Sequence, residues 1–99
     1  MRLLLSHQAR TALLKNRQSR GKEALMNALD AIAASPLRGA NIKHLVHVPD
    51  GFRKRVGRYR ILYTVHEKVR TVRVWIIAME KDTKKDYDRW MKYILESLR

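Results

Sequence analysis

The stretch Gly51-Phe-Arg-Lys-Arg-Val-Gly-Arg-Tyr-Arg-Ile-Leu-Tyr-Thr-Val-His66 decides the fold. It reads as two β-strands joined by a tight Gly57-Arg58 turn, since glycine takes the positive φ that short hairpins need. Successive strand residues face opposite ways. Tyr59, Ile61, Tyr63 and Val65 therefore share one side of the second strand, and Arg60, Leu62, Thr64 and His66 the other. In the first strand Arg53 and Arg55 lie opposite Phe52, Lys54 and Val56. The apolar sets must meet a core, because each large side chain gains roughly 1.5–3 kcal/mol on full burial. Arg53, Arg55 and Arg60 are left on an outer face, about 5 Å apart across neighbouring strands. Like charges so placed repel one another, and a polyanion would relieve them.

Composition points the same way. The 99 residues form one domain, residues 1–99, with a single core. There are 22 Lys+Arg against 9 Asp+Glu, a formal charge of +13 at pH 7. So much positive charge on a small domain implies a nucleic acid or an acidic protein as partner. The chain has no cysteine, which excludes disulfides and thiolate metal sites. Arg2–Leu5 is too short for a signal-peptide core and no run approaches a membrane span, so no membrane is expected and the cytoplasm is the default location.

Outward from the hairpin, Arg2–Leu5 reads as a strand and Ser6 as the cap of a helix from about His7 to Asn16. Ala9, Ala12, Leu13 and Leu14 supply its weak apolar stripe, and residues 17–21 break it, with Gly21 permitting the turn. A second helix, Lys22 to Ala34, carries Leu25, Ala28, Leu29, Ile32 and Ala33 at three- and four-residue spacing and stops at Ser35-Pro36. Residues 37–50 are irregular, anchored by Leu45, Val46 and Val48 and ending in the turn Pro49-Asp50-Gly51.

After the hairpin, a loop at Glu67–Arg70 leads to a strand Thr71–Met79, in which Val72, Val74, Ile76 and Ala78 alternate with Arg73, Trp75, Ile77 and Met79. Thr83 and Asp86 resemble a capping box for a last helix striped with Tyr87, Trp90, Met91, Ile94, Leu95 and Leu98. The expected fold is α+β, in the order β-α-α-β-β-β-α: a small antiparallel sheet with the helical hairpin on one face and a C-terminal helix.

The chemistry available is narrow. His7, His44, His47 and His66 are scattered, with no partner at metal-ligand spacing, so no metal or other cofactor is expected. Neither a nucleophile with its base nor a glycine-rich phosphate loop is present. What remains is arginine, whose planar donors match phosphate oxygens, and one phenol near the basic set. Lys81 follows Met79 by two and, on the strand's alternation, projects to the basic face. Tyr87 lies on the last helix's apolar stripe, a place that packing alone would explain. Trp75 offers a ring for base stacking, or for burial under the last helix.

Residues 51–63, the basic-to-tyrosine segment Glu80–Tyr87, the N-terminal strand with its helical hairpin, and Ser35-Pro36 together resemble the RelE/ParE superfamily of toxin–antitoxin toxins. The resemblance covers nearly the whole chain and is greatest to the RelE branch. It implies a ribosome-dependent endoribonuclease that cuts mRNA in the A site without metal, by attack of a 2′-hydroxyl on the adjacent phosphate. By the same resemblance, Arg53, Arg55, Arg60, Lys81 and Tyr87 are the catalytic set. Lys54, Arg58, Arg73, Lys84 and Lys85 are expected to bind RNA beside it. Partners implied are a cognate antitoxin, the ribosome and mRNA. Arginine stays protonated and cannot be a general base, so that role falls to Tyr87, with Lys81 as the acid. A ParE-like inhibitor of DNA gyrase shares the fold, and a plain basic RNA-binding module would account for the charge alone.

Overall fold

The computed structural model describes residues 1–15 and 20–98. Its elements are β1 (Arg2–Leu5), α1 (His7–Lys15), α2 (Arg20–Ala34), β2 (Ile42–His44), β3 (Gly51–Val56), β4 (Tyr59–His66), β5 (Thr71–Met79), α3 (Glu80–Lys85) and α4 (Tyr87–Ser97), with a 3-10 turn at Glu67–Val69. One sheet runs in the order β1-β5-β4-β3-β2. The hairpin register follows from the turn: Gly57 sits at φ 58 and Arg55 pairs directly with Arg60.

The hairpin's alternation decides both cores. Ile61, Tyr63 and Val65 join Val72, Val74 and Ile77 under Ala9 of α1 and Leu25, Ala28, Leu29 and Ile32 of α2. On the opposite face Leu62, Trp75 and Ile76 meet Leu45 and Val48, with Met91 and Ile94 of α4. Helices thus cover both faces, but α4 covers only part of its own. Ser6 caps α1 as expected, accepting the Ala9 N–H at 3.0 Å, and its hydroxyl donates to the Trp75 carbonyl at 2.5 Å. Beyond the end of β1, the Gln8 side-chain amide takes over as a strand would. It donates to the Ile77 carbonyl at 3.0 Å and accepts the Ile77 N–H at 2.9 Å.

Several expectations change in detail. The sheet is mixed, because β1 runs parallel to β5, and it gains the short edge strand β2 from the segment read as irregular. Strand β5 does not alternate throughout: Leu62 pairs with Ile76 but Tyr63 with Val74, so Trp75 is an extra, bulged residue. The bulge turns both Trp75 and Ile76 toward α4 and returns Ile77 to the helical hairpin. Gly21 lies in the first turn of α2 and not in a break, while residues 16–19 lie outside the described residues. Thr83 caps nothing. It sits inside α3, its hydroxyl donating to the Met79 carbonyl at 3.1 Å, and Asp86 precedes α4 without a side-chain capping bond. Val46, Leu14 and Leu95 are exposed, Val46 because it lies in the turn between β2 and β3.

Tyr63 is wholly buried, stacks on Phe52 at 5.8 Å, and donates to the Pro36 carbonyl at 2.7 Å, which ties the end of the helical hairpin to the sheet. Burial pushes its phenol from 10.0 up to about 12. The unfolded chain then loses this proton before the folded one. The stability Tyr63 supplies is present in full below pH 10 and is lost as pH rises toward 12, at up to about 1.4 kcal/mol per pH unit. Urea unfolding midpoints should therefore fall more steeply above pH 10 in the native protein than in Tyr63→Phe, which carries no titrating group there. Parallel curves would show that the phenol is not buried.

Candidate functional site

Register assembles the basic face. Lys43 of β2 pairs with Arg53, Arg53 with Leu62, and Arg55 with Arg60, so all four cations stand on the same side of the sheet as α4, on the part of it that α4 leaves uncovered. Their neighbour across β4, Leu62, is already under α4. Asn41, at φ 66 just before β2, holds the outer edge: its carbonyl accepts the Arg55 N–H at 3.0 Å and its side-chain oxygen accepts from Arg55 Nη2 at 3.2 Å. The far wall is α3. Together Asn41, Lys43, Arg53, Arg55, Arg60, Glu80, Thr83 and Lys84 enclose a cavity of about 510 Å³.

Arg60 departs from the open, phosphate-clamping arginine expected on this face. It is only 6% exposed, and its Nη1 donates to the carbonyls of Gly57 at 3.0 Å and Tyr59 at 2.9 Å. Its Nη2 meets Glu80 Oε2 at 3.1 Å. Glu80 is held from behind as well, its N–H donating to the Arg58 carbonyl at 2.7 Å. The other carboxylate oxygen lies 3.5 Å from Lys84 Nζ. The guanidinium thus stitches the turn of the hairpin to the first residue of α3, leaving Lys43, Arg53 and Arg55 as the open cations.

The remaining expected residues divide by position. Lys81 lies on α3, exposed, and is not among the residues lining the cavity, because the helix begins immediately after Met79 and ends the strand alternation. Lys84, one turn on from Glu80, occupies the wall instead. Tyr87 is half-buried against the α4 core and lines an adjoining hollow with Arg53, Thr83, Lys84, Lys85 and Asp88. Lys54 pairs with Ile61, on the helical-hairpin side, and Arg58 is exposed in the turn. Arg73 lies over the Trp75 ring at 4.2 Å. Trp75 itself is buried, donating from Nε1 to Thr64 Oγ1 at 2.9 Å and meeting Tyr93 edge-on, so it offers no ring for stacking. Asn41, Lys43, Glu80 and Thr83 are additions that only the pairing of β2 and the start of α3 reveal. Among the described residues no group of three or more His, Cys, Asp or Glu could hold a metal ion, and no helix is long and apolar enough to cross a membrane.

The structure defines a class of small α+β domain, a half-covered sheet with a cavity lined mainly by cations, and comparison with known proteins gives the family. The family model for the ParE toxin of the type II toxin–antitoxin system parDE matches residues 3–82. The protein belongs to that family, and is a toxin of the RelE/YoeB/ParE superfamily. Among the curated proteins none matches. Solved structures share the fold. A double mutant of the E. coli toxin RelE in the free state is 24% identical with a TM-score of 0.73, over 94% of this chain and 96% of that one. A YoeB/ParE toxin from Agrobacterium tumefaciens is 13% identical with a TM-score of 0.71, over 81% and 99%. The RelBE toxin–antitoxin complex from Mycobacterium tuberculosis contains a chain 26% identical with a TM-score of 0.64, over 80% and 96%.

Because Arg60 bonds two backbone carbonyls and a carboxylate, its loss should be felt in folding. Arg60→Ala should destabilise the protein by about 1.5–3 kcal/mol, the range for hydrogen bonds to charged groups. Arg60→Lys should recover less than half, since one ammonium cannot reproduce the fork. Unchanged urea midpoints in both would mean the guanidinium is free in solution.

Proposed function

We propose that the protein is a RelE-type toxin: a ribosome-dependent endoribonuclease that cuts mRNA in the A site and is held in check by a cognate antitoxin. The observation that carries this reading is the meeting of Lys43, Arg53, Arg55 and Lys84 around one cavity, with Tyr87 at the rim of the hollow beside it. Attack of a 2′-hydroxyl on the adjacent phosphate passes through a pentacoordinate phosphorus with added negative charge. Two guanidinium forks, that of Arg55 held by Asn41 before the substrate arrives, stabilise that charge more than the ground state, and one such donor is worth about 10²–10³-fold in rate. Arg53 and Arg55 grip the phosphate oxygens, and Lys43 and Lys84 extend the grip along the backbone. Tyr87 orients the neighbouring nucleotide, its ring offering a stacking surface. The reaction so written uses only side chains of this protein and the substrate's own hydroxyl.

A second reading is inhibition of DNA gyrase, favoured by the match to the ParE family model and by the Glu80 carboxylate that already neutralises part of the basic face.

Primer extension on mRNA carried by programmed ribosomes separates the two. The native toxin should produce cuts in the A-site codon, and Arg53→Ala combined with Arg55→Ala should lower cleavage by at least about 10²-fold. No cleavage together with loss of gyrase supercoiling would establish the second reading. Binding to single-stranded RNA should weaken steeply with salt, and Lys43→Ala should reduce the slope of log K against log salt by about 0.7, one phosphate contact. An unchanged slope would remove Lys43 from the interface.

A further inference from the structure

The cavity that gathers these cations also holds one carboxylate, and its mounting differs from that of a surface glutamate. Glu80 is fixed at both ends: its backbone N–H on the Arg58 carbonyl at 2.7 Å, its carboxylate on Arg60 at 3.1 Å. The orienting guanidinium is itself immobilised by the Gly57 and Tyr59 carbonyls and is 7% exposed, whereas the Glu80 side chain is 48% exposed toward the cavity. Of the side chains lining the cavity, Asn41, Lys43, Arg53, Arg55, Arg60, Thr83 and Lys84 cannot accept a proton at neutral pH, and Glu80 can. A proton acceptor held by a buried orienting group, beside cations that can grip a phosphate, is an arrangement suited to general-base catalysis.

The geometry points to Glu80 as the general base for the cleavage, with Arg60 as its positioning residue and not a phosphate ligand. The inference rests on the mRNA-cleavage reading above and assigns the proton transfer that the sequence had led us to expect of Tyr87. In the step, the 2′-hydroxyl proton passes to the Glu80 carboxylate while O2′ bonds to phosphorus. The P–O5′ bond breaks, its electron pair stays on O5′, and the Lys84 ammonium supplies the proton there. The products are a 2′,3′-cyclic phosphate and a 5′-hydroxyl. The base now carries a proton and Lys84 lacks one, 3.5 Å apart. Transfer between them restores the starting state.

The test pairs cleavage with binding on programmed ribosomes. Binding is measured with mRNA carrying a 2′-deoxy nucleotide at the cut site, which cannot react. Glu80→Gln keeps a hydrogen-bond acceptor for Arg60 but not its counter-charge, so the protein should still fold, with a lowered thermal midpoint. It should bind the deoxy mRNA as well as or better than the native toxin, since a negative charge leaves the cavity, yet cut the natural mRNA at least about 10²-fold more slowly. Glu80→Asp, which withdraws the carboxylate by one methylene, should fall between the two. Native cleavage rates in Glu80→Gln, or tighter binding with faster cleavage, would overturn the inference and make the carboxylate a mere competitor of phosphate. If Glu80→Gln fails to fold, Glu80→Asp decides, since native cleavage with the carboxylate displaced would equally overturn it. Absence of cleavage by the native toxin would instead remove the parent reading, and the inference with it.

Discussion

Arg55 stands directly across from Arg60 in an antiparallel pair, and the basic side of the molecule is arranged around that constraint. Two unit charges about 5 Å apart repel by roughly 1 kcal/mol in water and 3 kcal/mol at the effective dielectric near a protein surface. The fold separates them by giving each a different partner. Arg60 turns into the carbonyls of its own turn and onto Glu80, while Arg55 is drawn outward to Asn41. One guanidinium becomes framework and the other stays available. The hairpin turn, the entry to β2 and the start of α3 are held in relation to one another by those bonds.

The same arrangement connects the packing of α4 to the site. Met91 and Ile94 fix α4 over Leu62, Trp75 and Ile76. The six-residue α3 between β5 and α4 carries Glu80 at its first position and Lys84 one turn later. Anything that lifts α4 from the sheet therefore loosens the wall of the cavity, although no α4 residue lines it. The edge of β5 is protected from a different direction, by the Gln8 amide pairing with Ile77 where β1 has ended.

Much of this was readable from residue order because the hairpin obeys a strict period of two. The split of Ile61, Tyr63 and Val65 from Arg60 and Leu62 separates the two cores, and Ser6 and Pro36 bound their helices for local reasons. The misses share a physical origin in features that local periodicity does not encode. One bulged residue, Trp75, reverses the faces of Ile76 and Ile77 in β5. Strand β2 is three residues long and exists only because β3 supplies its partners, so Lys43 gave no alternation to read. The alternation of β5, extended past Met79, points to Lys81. The helix that starts there carries Glu80 and Lys84 to the cavity instead. The burial of Arg60 depends on carbonyls freed by a turn, and no side-chain pattern announces it.

The central claim is that the cavity between β2, β3 and α3 receives the phosphate at which RNA is cut. It is tested most directly by an electron cryomicroscopy structure of the toxin on a programmed ribosome, with mRNA carrying a 2′-deoxy nucleotide at the cut site. Non-bridging oxygens of that phosphate are expected within hydrogen-bond reach of the Arg53 and Arg55 guanidinium groups, with the 2′ carbon facing Glu80. A toxin bound with this cavity turned away from the mRNA, or with the phosphate held elsewhere on the chain, would contradict it.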